Sequence, residues 1–205
     1  MKKNKNTKNW LTKRNREHFF KKAKVHGYRS RSAYKLIEMN NKFKFIKKES
    51  LLLDLGSSPG GWSQVASEII YSGKILAADI KNMEKIKKVN FILNDVNDKD
   101  FYLKVENFFN RKIDIVISDM AANTTGNKNL DSYRTGELCL NALDLASKVL
   151  NEKGVFLSKI FMGSIFNEIQ EKAKKYFKKV IKYKPLSSKS ESKEIYIFCK
   201  DLSKI

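Results

Sequence analysis

The sequence predicts one α/β domain built on a mostly parallel sheet of seven strands, the last of which runs antiparallel. Three observations lead to this prediction. The 205 residues suit one domain and leave little room for two. From residue 51 onward, short apolar runs typical of buried strands alternate with helix-like stretches, which is the pattern of a parallel sheet. The link between the last two strands has no helix, so strand seven must run antiparallel to strand six.

Residues 1–50 are predicted to form a helical extension, and residues 51–205 a single globular unit. Residues 1–9 are polar and no apolar segment follows them, which argues against a secretory signal. Residues 10–24 have a loosely helical pattern, and residues 30–40 form a second short helix with apolar side chains at helical spacing.

The strands and helices of the globular unit are assigned from their apolar patterns. The strands are short apolar runs, as buried parallel strands are, and longer helical stretches separate most of them. The predicted strands are residues 51–55, 74–79, 90–94, 113–118, 154–160, 180–183 and 194–199. The predicted helices are residues 62–71, 98–109, 130–150 and 164–177.

The composition excludes several classes of protein. The chain is 41% apolar and 31% charged, with 13 Phe and 8 Tyr, which rules out a collagen, a coiled coil and a wholly disordered chain. No apolar stretch reaches the roughly 18 residues of a membrane span, so we expect no membrane partner. Cys139 and Cys199 lack metal-ligand spacing, so we expect no disulfide framework, no metal site and a reducing intracellular compartment.

The positive charge is concentrated in the extension. Lys and Arg total 42 against 22 acids, a net charge of +20, and residues 1–50 alone hold 17 basic and 3 acidic side chains. Such asymmetry favours RNA as the partner, although a general bias toward Lys and Asn with solvated lysines is the alternative. Trp10, Phe19 and Phe20 are expected to pack this segment against the sheet. The candidate phosphate contacts are Lys13, Arg14, Arg16, Lys21, Lys22, Lys24, Arg29 and Arg31.

A glycine-rich loop from Asp54 to Trp62 (DLGSSPGGW) joins the first strand to the next helix. Glycines allow a sharp turn and a close approach to a ligand, and the helix behind the loop offers free N–H groups. The alternative is an ordinary tight turn. The spacing matches neither the dinucleotide G-x-G-x-x-G nor the Gly-Lys-Ser/Thr of a P-loop, which disfavours a dehydrogenase and an NTPase.

Three acids, Asp54, Asp79 and Asp95, stand at or just after the ends of successive strands. Asp79 lies about 20 residues beyond the loop, where a carboxylate can bind both hydroxyls of a ribose. Asp95 is placed to accept a hydrogen bond from an adenine amino group. Each acid alone would be interpreted as a cap or turn residue, but together they predict a negative pocket that suits a cationic sulfonium cofactor.

Three motifs resemble the FtsJ-type (RrmJ-like) ribose 2′-O-methyltransferases of ribosomal RNA: DLGSSPGGWSQ at residues 54–64, SDMA at 118–121 and SRSAYKL at 30–36. The similarity extends from about residue 10 to the end of the chain. It implies a Rossmann-like, S-adenosylmethionine-dependent methyltransferase fold with helices on both faces of the sheet. The cofactor, which becomes S-adenosylhomocysteine, would be held by Asp54, Gly56, Pro59, Gly60, Gly61, Trp62, Asp79, Asp95 and Asp119.

The sequence departs from the family pattern in two places beside the expected substrate cleft. Ala122 stands where the family usually has a proline, and the loop at residues 124–129 is unusually polar. Both departures bear on the choice of target and not on the chemistry.

The resemblance also implies a catalytic tetrad of Lys35, Asp119, Lys159 and Glu194. Asp119 follows strand four and Lys159 ends strand five, and the ligand crevice of an open α/β sheet lies at the carboxyl ends of its strands. Because strand seven is antiparallel, its first residue, Glu194, reaches the same edge, and Lys35 must fold over the crevice from the extension. Taken singly, each charge could simply face solvent.

The reaction explains why these residue types are needed. A ribose 2′-hydroxyl is a poor nucleophile that must lose its proton as it attacks a sulfonium methyl group. A free lysine, with a pKa of about 10.4, is protonated at neutral pH, but desolvation and a second cation favour the neutral amine. Lys159 is the candidate base and Lys35 the neighbouring cation, with Asp119 orienting Lys159 and Glu194 holding Lys35.

The expected function is methyl transfer to a ribose 2′-hydroxyl, with a uridine of large-subunit ribosomal RNA as the favoured target. Transfer RNA is the alternative substrate, because tRNA-modifying relatives share the tetrad. A non-catalytic RNA-binding protein on the same fold is the alternative function. We expect a monomer that binds ribosomal RNA or the large ribosomal subunit. The cytoplasm, the nucleus or nucleolus, and an organelle such as the mitochondrion are all open as its location.

Overall fold

A seven-stranded sheet forms the centre of the computed structural model, which describes residues 18–163, 165–188 and 192–203. Its strands are β1 (Leu51–Leu55), β2 (Lys74–Asp79), β3 (Val89–Leu93), β4 (Ile113–Ser118), β5 (Leu150–Phe161), β6 (Phe177–Tyr183) and β7 (Glu194–Leu202). Their order across the sheet is β3-β2-β1-β4-β5-β7-β6. The first five strands are parallel, and β7 is antiparallel to both β5 and β6. The predicted sheet, with its antiparallel last strand, is confirmed.

The helices of the described residues lie within three residues of the predicted bounds. Part of the helix predicted at residues 10–24 falls outside the described residues. The helices are α1 (residues 18–25), α2 (Ala33–Phe43), α3 (Gly61–Ile69), α4 (Phe101–Phe109), α5 (Lys128–Val149) and α6 (Phe166–Tyr176).

Several boundaries differ from the prediction, among them the start of β5 at Leu150 and not at residue 154, and two of the differences have a clear physical reason. α2 begins three residues late because the first amides bond to carbonyls three residues back, as from Lys35 N to Ser32 O, and form a tighter turn. β6 begins at Phe177 and not at residue 180 because it is an edge strand. Its Lys178 and Lys179 are exposed, so the strand lacks the apolar pattern of a buried one.

Each face of the sheet carries its own buried cluster of side chains. One cluster packs α4, α5 and α6 on the sheet through residues such as Phe101, Leu143 and Ile169. The other packs α2 and α3 on the opposite face through residues such as Leu36 and Trp62. Helices therefore cover both faces, as the resemblance implied.

The extension contributes directly to the second cluster. Ala33, Leu36 and Met39 follow helical spacing on α2 and are all fully buried, in contact with the cluster that contains Leu52 and Leu157 of the sheet. Burial of a large apolar side chain contributes about 1.5–3 kcal/mol. α2 is therefore held on the sheet by the same core that stabilises residues 51–205, and its Lys35 is carried to a defined place.

The crevice that holds the site follows from the strand order. β1 pairs with β2 on one side and with β4 on the other, so the order of the strands reverses at β1. At such a switch point, the loops after the strands diverge and open a ligand crevice. Antiparallel β7 brings Glu194 opposite Phe161, at the carboxyl end of β5.

The described part of the chain shows neither a membrane-spanning helix nor a metal-binding cluster. None of its helices is long and apolar enough to cross a membrane. The same residues contain no group of three or more His, Cys, Asp or Glu placed to bind a metal ion. Burial raises the pKa of Cys139 to about 12 and that of Cys199 well above its ordinary value, so both thiols stay protonated.

Candidate active site

Two ion pairs lie side by side at the carboxyl edge of the sheet. Lys159 Nζ is 3.0 Å from Asp119 Oδ1, and Lys35 Nζ is 2.6 Å from Glu194 Oε1. The exposed fractions of the two lysine side chains are only 9% and 8%. The structure thus brings together all four residues of the predicted tetrad, from α2, the end of β4, the end of β5 and the start of β7.

Tyr196 connects the two ion pairs, and the sequence analysis missed it. Its hydroxyl donates to Asp119 Oδ1 at 2.8 Å, and Lys35 Nζ lies 5.7 Å from the centre of its ring. Tyr196 is fully buried and lies directly opposite Lys159 in the ladder of β5 and β7. The available signal was its place two residues after Glu194, on the same face of a strand.

The lysines determine the charge state of the carboxylate between them. Burial alone would raise the pKa of Asp119, but the Lys159 and Lys35 ammonium groups and the hydrogen bonds from Lys159 and Tyr196 hold it below its usual range. Burial, followed by the charges of Asp119 and Glu194, raises the pKa of Tyr196 well above its ordinary value, and the Arg31 guanidinium offsets part of that shift. Asp119 is therefore an anion and Tyr196 a neutral donor at physiological pH.

A cavity of about 300 Å³ opens beside the tetrad, on the side of β1 and β2. Asp119 belongs both to the tetrad and to the cavity wall, so the cavity and the ion pairs form one site. Three acids predicted to bind the cofactor, Asp79, Asp95 and Asp119, all line it. The other lining residues are Leu55, Gly56, Ser58, Ala78, Ile80, Lys81, Asn94, Val96, Asn97, Met120, Ala121, Asn123 and Leu138.

Two of the acids in the wall are held by main-chain N–H groups. Asp79 accepts hydrogen bonds from Ser58 N at 2.9 Å and from Lys81 N at 2.8 Å, one on each carboxylate oxygen. Asp95 Oδ1 accepts from both the main-chain and side-chain nitrogens of Asn97, each at 2.9 Å. Each carboxylate oxygen can accept a further hydrogen bond, so both acids are oriented and still able to bind a ligand.

Asp54 lies beneath this cavity and is fully buried. One of its oxygens accepts a hydrogen bond from Ser63 Oγ at 2.6 Å, whereas Oδ1 has no partner among the described residues. Burial, together with the charges of Asp119 and Asp79, raises the pKa of Asp54 to about 7 against the opposing effect of the Ser63 hydrogen bond. A buried oxygen without a partner beside an acidic cavity fits a cationic ligand.

The remaining residues predicted to bind the cofactor belong to the glycine-rich loop itself, and of these only Gly56 lines the cavity in the described residues. Gly56 has φ +70°, and a Cβ there would come within 2.4 Å of Met120 Cγ, so glycine is needed for the loop to pass under Met120. Pro59, Gly60, Gly61 and Trp62 are outside the lining found for the cavity in the described residues.

The structure shows what these loop residues contact instead. A Cβ on Gly61 would lie 2.4 Å from Ser30 Oγ, and the Trp62 indole donates to Ser32 O at 2.9 Å. Trp62 is 2% exposed and its ring lies 5.8 Å from that of Tyr196. Gly61 and Trp62 therefore hold the extension against the loop, and their contact with the cofactor stays a prediction.

The basic residues of the extension fall into three groups. Lys13, Arg14 and Arg16 lie outside the described residues. Lys21, Lys22 and Lys24 are exposed on α1, and Arg31 is half-buried close enough to Tyr196 to affect the pKa of its phenol.

Arg29 makes structural contacts of its own, and its contact with phosphate stays a prediction. Its guanidinium donates to the main-chain oxygens of Pro59 at 3.2 Å, Glu84 at 2.7 Å and Lys85 at 3.0 Å. It thereby joins the cofactor loop to the segment behind β2, a contact that no local sequence pattern shows.

The aromatic residues of the extension differ in how far they are buried. Phe19 packs against Tyr34 of α2, with ring centres 5.5 Å apart. Phe20 is 64% exposed, so the prediction that it packs against the sheet is wrong. Phe20 falls on the outer face of α1, where a single exposed apolar side chain is common on protein surfaces. Trp10 lies outside the described residues.

The chain is similar in sequence and structure to several known proteins. Residues 28–202 match the model of the FtsJ-like methyltransferase family. The chain is 47% identical over 202 residues to ribosomal RNA large subunit methyltransferase E of Pelagibacter ubique, which covers 98% of this chain and 100% of the relative. It is 43% identical to the protein of the same name from Rickettsia akari, with 92% and 86% covered.

Solved structures show the same fold. A Plasmodium falciparum protein described as a ribosomal RNA methyltransferase superposes with a TM-score of 0.77 and 36% identity, over 85% of this chain and 98% of that one. A fibrillarin from Methanococcus jannaschii, at 18% identity and a TM-score of 0.56 over 78% and 70% of the two chains, shares the fold alone.

The sheet order, the covered faces and the crevice define the class of the protein as a Rossmann-like methyltransferase that uses S-adenosylmethionine. Within that class, the chain belongs to the FtsJ-like methyltransferase family. The family predicted from the three sequence motifs is confirmed.

Proposed function

We propose that this protein transfers a methyl group from S-adenosylmethionine to a ribose 2′-hydroxyl of large-subunit ribosomal RNA. The observation that carries the proposal is the pair of buried lysine–carboxylate contacts beside an acidic cavity. A non-catalytic RNA-binding protein would have no need to keep two buried ion pairs, which are costly to desolvate. The intact tetrad therefore favours an enzyme.

The cavity supports a proposal for how the cofactor is held. Asp79 and Asp95 would bind the ribose hydroxyls and the adenine amino group, because both are oriented by main-chain N–H groups and retain acceptor capacity. Gly56 leaves room for the loop at the cavity wall, and Asp119 adds negative charge there. S-Adenosylmethionine would supply an electrophilic methyl group on a positively charged sulfur.

In the proposed mechanism, the residues of the tetrad orient the ribose and receive its proton. Asp119 and its main-chain carbonyl hold the Lys159 amine from two directions. Lys159 would act in its neutral form, after its ammonium has given a proton to solvent: its Nζ would take the proton of the 2′-hydroxyl as that oxygen bonds to the methyl carbon and the carbon–sulfur bond breaks, which leaves S-adenosylhomocysteine. Lys35, fixed by Glu194, would place a positive charge beside the forming alkoxide. Tyr196 would keep Asp119 in the orientation that aims Lys159 at the substrate.

The substrate is proposed from the relatives. Proteins that cover nearly the whole chain are named ribosomal RNA large subunit methyltransferases, and this favours ribosomal RNA, with a uridine as the target, over transfer RNA. The exposed lysines of α1 and the half-buried Arg31 would bind phosphates near the crevice. Such a substrate implies an intracellular protein at the place of ribosome assembly, and we propose that it acts as a monomer.

Mapping of 2′-O-methyl groups tests this proposal. Ribosomal and transfer RNA from cells with and without the protein should differ at a position in large-subunit ribosomal RNA. Cells that carry a Lys159→Ala variant should lack the same methyl group. A control variant, Asp144→Asn, changes a residue of α5 that lies away from the tetrad, and it should restore the methyl group. Loss of a methyl group from transfer RNA alone would replace the proposed substrate, and no loss would contradict the proposed activity.

A further inference from the structure

Close to the tetrad, the Glu38 carboxylate accepts four hydrogen bonds. It lies on α2 three residues after Lys35, so both side chains project from one face of the helix. Its carboxylate accepts from Tyr183 Oη at 2.7 Å, Leu186 N at 2.7 Å, Ser187 N at 3.1 Å and Ser187 Oγ at 3.0 Å. One carboxylate thus holds the end of β6 and the turn that follows it.

The turn continues this connection to the tetrad. Ser188 N donates to Pro185 O at 3.0 Å, which closes the turn. Ser188 Oγ then donates to Glu194 Oε1 at 2.9 Å, and this oxygen is the one that binds Lys35 Nζ at 2.6 Å. Ser187 and Ser188 are both buried, so these contacts are shielded from water. The chain of contacts leaves α2 at Glu38 and returns to α2 at Lys35.

We propose that Glu38 is a positioning residue for methyl transfer: it fixes the turn at residues 185–188 so that Ser188 orients the Glu194 carboxylate toward Lys35. This inference rests on the proposed function of the tetrad. A glutamate side chain has several rotatable bonds, and a second hydrogen bond on Oε1 selects the rotamer in which that oxygen faces the lysine. Without Glu38, three main-chain and hydroxyl donors of the turn lose their acceptor, and the turn has no other described contact that replaces it.

The charge state of Glu38 suits this role. Burial alone would raise its pKa, but the hydrogen bonds from Tyr183, Leu186 and Ser187 hold it below the usual range. The Lys42 amine lies 4.7 Å from the centre of the Tyr183 ring and adds a positive charge nearby. The carboxylate therefore stays ionised and keeps all its acceptor sites across the pH range in which the enzyme would work.

A double-mutant cycle with Glu38→Gln and Ser188→Ala tests the inference. Single-turnover methyl transfer at saturating RNA and S-adenosylmethionine should slow about 10-fold in each single variant, the change that corresponds to about 1.4 kcal/mol. The double variant should be no slower than Glu38→Gln, since both changes interrupt the same contact. The affinity for S-adenosylmethionine, measured by calorimetry, should stay that of the wild type, which a general loss of structure would not allow.

Asp144→Asn is the matched control. Asp144 is also a helix carboxylate, which accepts from Lys172 Nζ at 2.7 Å and Tyr176 Oη at 3.1 Å, but it lies on the opposite face of the sheet. It should leave the rate unchanged. If Glu38→Gln does not fold, Ser188→Ala alone decides, because the inference requires its contact with Glu194.

The outcomes separate this inference from the proposed function. A wild-type rate in Ser188→Ala, or independent, multiplied losses in the double variant, would overturn the positioning role while Lys35→Ala remained inactive. A wild-type rate in Lys35→Ala and Lys159→Ala would overturn the proposed function itself.

Discussion

The two halves of the crevice are assembled by contacts of very different range. On the cofactor side, Asp79 and Asp95 are oriented by Lys81 N and Asn97 N, two residues away, and Asp79 also by Ser58 N, 21 residues away. On the tetrad side, the side chains hold one another across 40 residues between Asp119 and Lys159 and 77 between Asp119 and Tyr196. Cofactor binding therefore depends on local loops, whereas the chemical step depends on the assembled edge of the whole sheet.

This difference separates the expected effects of substitutions. A change on the cofactor side should weaken binding of S-adenosylmethionine and leave the chemical step intact at saturation. A change on the tetrad side should slow the chemical step and leave the binding of S-adenosylmethionine intact. Variants that affect both equally would show that the two halves are not separable.

The largest effect is expected for Lys159. Lys159→Ala should lower single-turnover methyl transfer by ~10²–10⁴-fold, the contribution of a positioned general base. Lys159→Arg should fail as badly, because a guanidinium stays protonated and cannot accept the hydroxyl proton. Thermal unfolding should confirm that both variants fold, and calorimetry that they bind S-adenosylmethionine.

The Lys159→Arg variant distinguishes a general base from a residue that only supplies positive charge. If Lys159 only neutralised charge or held RNA, arginine would restore much of the rate. A rate near that of the wild type in Lys159→Arg would exclude Lys159 as the base and leave the ion pair with Asp119 as an electrostatic contact.

The next effect concerns Asp54 and the pH dependence of stability. The pKa of Asp54 rises from an ordinary value near 4 to about 7 on folding, because the folded protein buries the carboxyl group. The folded state therefore binds more protons than the unfolded state between these values. The stabilisation is complete below about pH 4 and is lost as pH rises toward 7, with a change of order 4 kcal/mol.

Asp54→Asn should abolish this change, since asparagine does not titrate and can still accept from Ser63. Urea unfolding at several values between pH 4.5 and 7.5 would measure the difference in free energy of unfolding between the two proteins. The wild type should lose stability relative to Asp54→Asn as pH rises. If the free energies of unfolding of the two proteins changed with pH in parallel, Asp54 would be ionised throughout this pH range.

Sequence reasoning succeeded where the signal is local and stopped where it is not. The strands of the sheet were found because each is a short apolar run, and Asp79 and Asp95 because each follows a strand. Tyr196 was missed because a buried tyrosine in a strand gives no hint that its hydroxyl meets Asp119. The contacts of Arg29 were missed for the same reason, since its partners at Pro59 and Lys85 are close only after folding.

On the cofactor side, Asp79→Asn should weaken the binding of S-adenosylmethionine by about 1.5–3 kcal/mol, the contribution of a charge-assisted hydrogen bond. Asparagine keeps one acceptor oxygen, so the loop that Asp79 holds is disturbed less than by alanine. Single-turnover transfer at saturating cofactor should be unchanged. Asp100→Asn, an exposed acid at the start of α4, serves as the control. Equal affinities in all three proteins would remove Asp79 from the cofactor site.

The smallest effect is expected on α1, outside both halves of the crevice. Replacement of Lys21, Lys22 and Lys24 by Gln should weaken RNA binding and lower the slope of log affinity against log salt by ~0.7–0.9 for each phosphate contact that is lost. S-Adenosylmethionine affinity should not change, because these exposed lysines lie on the face opposite α4 and away from the acidic cavity. The same replacement of Lys99, Lys104 and Lys112, which surround α4, removes equal charge from the other face. If both triple variants lower the slope equally, the protein attracts RNA through its net charge and not through α1; if neither does, the lysines of α1 are solvated surface residues.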